Sequence, residues 1–163
     1  MVSKRTSRDA GGKRKFLAII DATPECGRAA SYAARRAKSS GGAAVFLYVV
    51  ESADFQHFLG VEKIMRAEAE AEANARLSKI AEEIRESVGI EPELVVREGK
   101  TDEEIHGIIE ADREIAILVL ASGNSTEGPG PLVSSVAGRA AAFPIPVTIV
   151  PATLTDEEIE SLS

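Results

Sequence analysis

Cysteine is nearly absent from this chain of 163 residues, which contains one, at position 26. A single cysteine cannot form an internal disulfide, and such scarcity is typical of proteins in a reducing cytoplasm. The sequence also lacks an apolar run long enough to span a membrane, and its N-terminus lacks the apolar segment of a secretory signal. These absences predict a cytoplasmic protein that has no membrane partner.

Positive charge is in the minority, because 26 acidic residues outnumber 19 lysines and arginines and give a net charge of −7. This balance argues against non-specific binding to nucleic acid or to anionic membranes. Six of the basic residues are concentrated in residues 1–15, which contain almost nothing to bury. We predict that residues 1–15 form a disordered arm and that the folded domain does not depend on it.

Several signatures of nucleotide-binding and catalytic proteins are also missing. The first predicted strand is followed by DATPE (21–25), so the G-x-G-x-x-G turn of dinucleotide-binding folds is absent, and no P-loop sequence occurs. His57 and His106 show no metal-ligand spacing, and no nucleophile–base pair is evident. We therefore expect no metal site, no catalytic residues and at most slow ATP hydrolysis.

What the sequence does contain is a regular alternation of short apolar runs and helical patterns. The apolar runs predict buried strands at residues 16–20, 43–50, 93–97, 115–120 and 145–150. Helices are predicted from Thr23 to the glycines at 41 and 42, at 61–88, from Thr101 to about residue 113, and at 132–143. This alternation indicates an α/β protein with a single three-layer domain at residues 16–151, in which an open parallel five-stranded sheet has helices on both faces.

The pentapeptide TDEEI occurs twice, at 101–105 and at 155–159. In each copy a threonine is followed three residues later by a glutamate, which is the capping-box signature of a helix N-terminus. The first copy predicts the start of the helix that follows the third strand. The second predicts a short helix within an exposed C-terminal tail, residues 152–163.

A loop rich in glycine and proline follows the fourth predicted strand, with Gly123, Gly128 and Gly130 close to Pro129 and Pro131. Such a loop cannot form regular structure and lets backbone come close to a ligand. In open α/β sheets the ligand crevice lies beyond the carboxyl ends of the strands, and a helix N-terminus offers free N–H groups to an anion. We therefore predict a phosphate-sized pocket above residues 121–136.

Four features of the sequence, taken together, resemble the universal stress protein family (UspA type). They are Asp21 at the end of the first strand, LYVVE (47–51), REGKTDEEI (97–105) and SSVAGRAAAFPIPVTIV (134–150). None is specific alone, but their order and spacing match the family over residues 16–151. The resemblance implies a sheet of strand order 3-2-1-4-5, a homodimer formed through the last strand (Ile145–Val150), and a site that binds ATP in some members.

The resemblance also assigns parts of a nucleotide site to particular residues. Asp21 and Val49 match the positions that hold the base and the ribose. Ser135 and Val136 match the positions at the phosphates. Asp21 also suits a local capping role at the end of its strand, so the residue type alone leaves both roles open.

The ATP-binding pattern of the family contains three glycines, and here Ala121, Asn124 and Ser134 replace them. These replacements reduce the freedom of the backbone to approach a phosphate, most mildly at the asparagine. Ser134 is also a common residue at the start of a helix, which is the simpler explanation for its presence. The predicted binding residues are Asp21, Val49, Ala121, Gly123, Asn124, Gly128, Gly130, Ser134, Ser135 and Val136.

Two functions from different classes remain open on this evidence. The favoured one is a dimeric stress-response protein that binds ATP, another adenine nucleotide or a similar anion as a regulatory ligand. The alternative is a ligand-free dimeric protein-interaction module of the same fold, because all three glycines are replaced. A nucleotide-using transferase is disfavoured, since no glycine-rich turn follows Asp21.

Overall fold

A computed structural model describes Arg5 and residues 11–51, 61–123, 128–138 and 143–163. Strands and helices alternate along these residues as β1 (Lys15–Ile20), α1 (Cys26–Ser40), β2 (Ala43–Val50), α2 (Val61–Ser87), β3 (Glu93–Glu98), α3 (Thr101–Ala111), β4 (Ile115–Ser122), α4 (Pro131–Gly138), β5 (Val147–Pro151) and α5 (Asp156–Leu162). The strands form one parallel sheet of order β3-β2-β1-β4-β5. The predicted α/β fold and strand order are confirmed.

The central strand β1 is buried on both faces, and this arrangement produces the three layers. Phe16, Ala18 and Ile20 face one side and pack against α1, α2 and α5. Leu17 and Ile19 face the other side and pack against α3 and α4. Successive side chains of a strand point to opposite faces, so an unbroken apolar run such as FLAII needs both faces covered.

Helix α1 packs closely on the sheet because its buried face consists largely of alanine. Those residues, all nearly inaccessible to solvent, are Ala29, Ala30, Ala33, Ala34 and Ala37. The helix ends as predicted at Gly41, whose φ of 67° is left-handed, and whose N–H donates to the last helical carbonyls. At Gly42 a Cβ would lie 2.1 Å from the Arg14 carbonyl oxygen, so only glycine lets the chain enter β2 here.

Several predicted boundaries differ from the structure, among them those of α1, α4 and β5. Helix α1 begins at Cys26 rather than at Thr23, because the Thr23 hydroxyl donates to Asp21 instead of capping the helix. Helix α4 spans Pro131–Gly138 and does not include Phe143. Strand β5 begins at Val147 rather than at Ile145, whose side chain is buried ahead of the strand.

The C-terminal helix α5 lies within the predicted tail, and most of its residues are exposed, but one of them is buried in the core. Ile159 is completely buried and joins the core beneath α1. Ion pairs from Arg28 to Asp156 and from Arg35 to Glu160 hold the outer side of the helix. A single apolar residue in a polar helix gives almost no periodic signal, so the sequence did not indicate this buried contact.

Parts of the basic N-terminal segment contact the domain. Lys15 lies within β1, one residue earlier than predicted, and its ammonium forms ion pairs with Glu93 and Asp112 at 3.2 and 2.8 Å. Burial alone would lower the pKa of Lys15, but the hydrogen bonds to Asp112 and Glu93 outweigh it and raise that pKa. The Arg5 guanidinium donates to the Asp112 carbonyl oxygen at the end of α3. The other residues up to position 10 lie outside the described part of the chain.

Within the described residues, no helix is both long enough and apolar enough to cross a membrane.

Candidate functional site

The largest cleft near the predicted site lies beyond the carboxyl ends of β1 and β2, on the face of the sheet covered by α3 and α4. It has a volume of about 580 Å³. Its walls come from the strand ends, from the start of α3 and from the first turns of α4. They are formed by Ile19, Ile20, Asp21, Val49, Glu51, Lys100, Thr101, Asp102, Leu132 and Ser135. We call this space the main cleft.

The main cleft brings together three of the residues predicted from the sequence, namely Asp21, Val49 and Ser135. They are far apart in the chain and come from β1, β2 and α4. Parallel strands place their carboxyl ends along one edge of the sheet, which is why the ends of β1 and β2 can share a ligand. The apolar side of Val49 and the polar groups of the other two residues then line a single space.

Asp21 has the local hydrogen-bonding role at the end of its strand that its sequence position also allowed. Its Oδ1 accepts hydrogen bonds from the Thr23 N–H, at 2.9 Å, and from the Thr23 hydroxyl. These bonds fix the turn between β1 and α1 and orient the carboxylate beside the cleft. A carboxylate has about four acceptor positions. Asp21 therefore keeps the capacity to accept a hydroxyl of a ligand as well.

A hydrogen bond links two walls of the main cleft. The Thr101 hydroxyl, at the start of α3, donates to the Glu51 carboxylate, directly after β2. Both residues line the cleft. The bond joins the end of β2 to the start of α3, and so it positions a second carboxylate, that of Glu51, near Val49.

A second, much smaller cavity adjoins the main cleft and shares Ile19, Asp21 and Leu132 with it. Its volume is only about 40 Å³. Ala121 and Gly130, both predicted as site residues, line this cavity together with Glu25 and Pro129. We call it the loop cavity, because the glycine-rich loop forms one side of it.

The glycine-rich loop is held by a bond within itself. The Gly123 N–H donates to the Pro129 carbonyl oxygen at 2.9 Å. Gly128 and Gly130 have φ values of 113° and 107°, which L-residues with side chains rarely adopt. These glycines therefore give the loop a sharply turned backbone. Asn124, the remaining predicted residue of the loop, lies outside the described residues.

Helix α4 begins earlier than a phosphate-binding role for Ser134 would require. The first helical residue is Pro131, and the Ser134 N–H donates to the Gly130 carbonyl oxygen at 3.0 Å. That N–H is therefore used by the helix. Ser135 is exposed and lines the main cleft, whereas the Val136 side chain is buried in the core. Of the three, Ser135 is the one whose side chain reaches the cleft.

The electrostatics of the main cleft are acidic. Among the described residues of its walls, Asp21, Glu51 and Asp102 contribute three carboxylates and Lys100 contributes one ammonium. The Lys100 ammonium also lies 3.9 Å from Glu103, which shares its charge. In the described part of the chain, no group of three or more His, Cys, Asp or Glu residues is arranged to hold a metal ion.

Cys26 lies beside the loop cavity at the start of α1. Its thiol donates to the Asp21 carbonyl oxygen at 3.5 Å, and the residue is buried. Burial raises the pKa of the Cys26 thiol. At neutral pH the thiol is therefore protonated, and a protonated thiol is a poor nucleophile.

Four polar cleft residues were not predicted from the sequence: Glu51, Lys100, Thr101 and Asp102. A signal for them existed, because Glu51 directly follows β2 and the other three directly follow the end of β3. The rule that ligands bind at the carboxyl ends of parallel strands applies to every strand. The predictions from the sequence rest on it only for the glycine-rich loop after β4 and for Asp21.

Comparison with known proteins supports the fold and identifies the family. The chain matches the model of the universal stress protein family over residues 13–151. No curated protein sequence matches it at a significant level.

Several solved structures share the fold. The universal stress protein UspA from Lactobacillus plantarum superposes with a TM-score of 0.69 at 16% identity, covering 85% of this chain and 98% of that one. A universal stress protein in complex with cAMP gives a TM-score of 0.63 at 15% identity, covering 87% and 99%. The universal stress protein from Archaeoglobus fulgidus in complex with dAMP gives 0.55 at 17% identity, covering 85% and 97%.

Identities this low establish a common fold and nothing about ligands. The family match is the stronger finding, because it covers most of the chain and includes both cleft-forming strand ends and the glycine-rich loop. The resemblance inferred from the sequence is confirmed. The chain belongs to the universal stress protein family.

Proposed function

We propose that this protein binds an adenine nucleotide in the main cleft and that the nucleotide acts as a regulatory ligand rather than as a substrate. The observation that carries the proposal is the convergence of Asp21, Val49 and Ser135 on one cleft of about 580 Å³. Pockets that bind small molecules have volumes of about 300–1,000 Å³ and combine apolar walls with a few polar groups. The main cleft has this size and composition.

Each wall of the cleft suits one part of a nucleotide. Val49 and Leu132 give an apolar surface on which a flat base can pack. Asp21 and Glu51 are acceptors for the ribose hydroxyls, which are donors that ATP, AMP and adenosine share. Ser135 is exposed on the first turns of α4, where a phosphate can receive its hydroxyl hydrogen bond. Family members solved with cAMP and dAMP support an adenine base as the ligand class.

We propose further that two copies of the chain pair through β5. This strand lies at the edge of the sheet, where its outer N–H and C=O groups have no neighbouring strand within the described residues. Ile149 on this strand is 42% exposed. An exposed apolar residue on an open edge favours pairing with a second copy across a two-fold axis. Replacing Ile149 with Lys should convert a dimer to monomers in analytical ultracentrifugation, and a monomeric wild-type protein would contradict the proposal.

The proposal includes a cytoplasmic location and a role in the stress response. The location is supported by the single, buried Cys26, because proteins of oxidising compartments more often use paired cysteines. The role is supported by membership of the family.

One observation favours the second function, a protein-interaction module that binds no nucleotide. Three carboxylates line the main cleft against one ammonium, and carboxylates repel phosphate. In that case the fold and its edge strand β5 would bind a partner protein, and the main cleft would bind no ligand. The two functions make opposite predictions about ligand binding.

Mass spectrometry of the untagged protein after rapid purification tests the proposal without assuming the ligand. We expect an adenine nucleotide to be released on denaturation of the wild-type chain and to be lost from an Asp21→Ala variant. Glu82→Ala, an exposed substitution on α2 away from the cleft, provides the control that should retain the nucleotide. Equal traces from all three proteins would show carry-over rather than a site. If nothing is released, titration of the wild-type chain with AMP decides the question.

A further inference from the structure

We infer that the site accepts an adenine nucleoside with at most one phosphate group and rejects the triphosphate, with Glu25 as the specificity-determining residue. The inference rests on the proposed function, because it concerns the same cleft. Three observations carry it: the space available beyond the main cleft, the use of the backbone N–H groups there, and the charge of the surrounding side chains.

Space is the first observation. The main cleft has a volume of about 580 Å³, which is enough for a base and a ribose. Beyond it, toward the glycine-rich loop, the adjoining loop cavity measures only about 40 Å³. Phosphates in a doubly wound fold lie against the loop and the helix N-terminus that follow a strand. In the described residues on that path, the volume beyond the cleft is less than a tenth of the volume of the cleft itself.

The backbone donors are the second observation. A chain of phosphates needs free N–H groups, and two such groups, one in the glycine-rich loop and one in the first turn of α4, are already bonded. The Gly123 N–H donates to the Pro129 carbonyl oxygen, and the Ser134 N–H donates to the Gly130 carbonyl oxygen. Pro131, the first residue of α4, has no N–H to offer. A single phosphate can still use the Ser135 hydroxyl at the edge of the main cleft.

Charge is the third observation and identifies Glu25. Its carboxylate lies against the loop, since an added Cβ on Gly123 would be 3.1 Å from the Glu25 Oε1 atom. Glu25 also lines the loop cavity, as does Asp21. A second or third phosphate would therefore lie near two carboxylates. Like charges at such short range repel strongly when they are partly shielded from water.

Glu25 is a suitable residue for a test because, within the described residues, the fold does not depend on a bond made by its side chain. It occupies the N-cap position of α1 without making a side-chain capping bond. Its backbone carbonyl accepts the Arg28 N–H, and a glutamine at this position keeps that bond. Glu25→Gln removes the negative charge while preserving shape, so the folded chain should be retained.

Calorimetric titration of the full-length wild-type chain with adenosine, AMP and ATP, without divalent cations, tests the inference. We expect AMP to bind at least about tenfold more tightly than ATP, the scale of a partly screened like-charge contact. Adenosine should bind within about tenfold of AMP, because one hydrogen bond to the phosphate separates them. In Glu25→Gln the ratio of AMP to ATP affinity should fall by about fivefold or more, the effect of one removed charge. The matched control Glu82→Gln should leave that ratio unchanged.

The possible results separate the inference from the proposed function. ATP binding as tightly as AMP to the wild-type chain would overturn the inference and leave the proposed function standing. A wild-type preference for AMP that Glu25→Gln does not reduce would overturn the role of Glu25. Absence of binding by all three ligands would overturn the proposed function, and the inference with it.

Discussion

The two copies of TDEEI fold differently although their sequences are identical. At 155–159, Thr155 is the N-cap of α5: its hydroxyl accepts the Glu158 N–H at 3.2 Å, and the Glu158 carboxylate accepts the Thr155 N–H at 2.8 Å. This is the predicted capping box. At 101–105, α3 begins at Thr101 itself, and the N-cap residue Lys100 makes no side-chain cap. The predicted capping box at Thr101 is therefore wrong.

The difference arises from what surrounds each copy. The Thr101 hydroxyl donates to Glu51, which lies directly after β2. Glu104 lies beside Gly99, where an added Cβ would be 2.6 Å from its Oε1 atom. A charge-assisted bond to a carboxylate is stronger than a neutral bond to a backbone amide. In the first copy the threonine thus belongs to the main cleft, and in the second it belongs to the helix.

One feature is common to both copies, and it concerns packing. The isoleucine at the end of each, Ile105 or Ile159, is 0% exposed. Ile105 packs with α4 and one face of the sheet, and Ile159 packs with α1 on the other face. The pentapeptide therefore specifies a helix with one buried apolar residue. Its surroundings decide whether the polar residues cap that helix or build a site.

The largest effects should come from the shared isoleucines. Ile105→Ala and Ile159→Ala should each lower the free energy of unfolding by about 2–5 kcal/mol, because each leaves a cavity in a closed core. Urea denaturation followed by circular dichroism measures this. A loss below about 1 kcal/mol in Ile159→Ala would mean that α5 is not part of the cooperative domain.

Stability should separate the two threonines. Thr155→Ala should lower the free energy of unfolding by about 1 kcal/mol, the cost of losing an N-cap. Thr101→Ala should change it by no more than about 0.5 kcal/mol, because the lost bond is exposed and alanine suits the first turn of a helix. Equal losses in the two variants would show that Thr101 also caps its helix.

The two threonine variants should differ in the opposite direction in their affinity for AMP. Thr101→Ala removes the bond that positions Glu51 in the main cleft, and AMP should then bind about fivefold more weakly, which corresponds to roughly 1 kcal/mol. Thr155→Ala should leave AMP affinity unchanged, since Thr155 is remote from the cleft walls. Calorimetry on the two matched variants gives the comparison. If both bind AMP like the wild-type chain, then Thr101 is not a site residue.

The smallest predicted effect is a pH dependence of stability that arises from Cys26 at the start of helix α1. This helix contacts both regions, since α5 packs on it and Cys26 lies beside the loop cavity. Burial raises the pKa of the Cys26 thiol above that of the unfolded chain. The folded state therefore keeps this proton as pH rises past about 8.5, the ordinary pKa of cysteine. Unfolding should become easier as pH increases through that range, since the unfolded state loses the proton first.

Urea denaturation of the wild-type chain between pH 7.5 and 9.5, which brackets the ordinary thiol pKa of about 8.5, measures this slope. Cys26→Ala should show a smaller decrease over the same range, whatever its absolute stability. Lys15 and Tyr48 also have raised pKa values, but both groups ordinarily titrate above this range. Identical slopes in the two proteins would contradict the assignment to Cys26.

Apolar patterns in the sequence were sufficient to predict the sheet. The strand positions follow from runs such as FLAII, which need cover on both faces, and the strand order followed from the family resemblance. The assignment of Asp21 and Val49 to one site came from the family resemblance, and it fits the sheet because parallel strands end at one edge. The strand positions and their common edge both follow from backbone geometry, which short stretches of a single sequence determine.

The rest of the site depended on contacts between distant residues. No local rule distinguishes Thr101 from Thr155, because the deciding partner Glu51 is 50 residues away in the chain. The position of Glu25 against the glycine-rich loop is likewise a contact between residues far apart in the chain. The burial of Ile159 could not be predicted for the same reason, since its neighbours are alanines of α1.

The most direct test of nucleotide binding in the main cleft is an NMR titration of the full-length, isotope-labelled chain with AMP. The amide signals of Asp21, Val49, Thr101 and Ser135 should shift together and saturate with a single dissociation constant. The signals of residues 155–159 should stay in place, although their sequence is the same as that of residues 101–105. Cleft signals that do not move at millimolar AMP, or that move no more than those of α5, would contradict the account and favour the ligand-free interaction module.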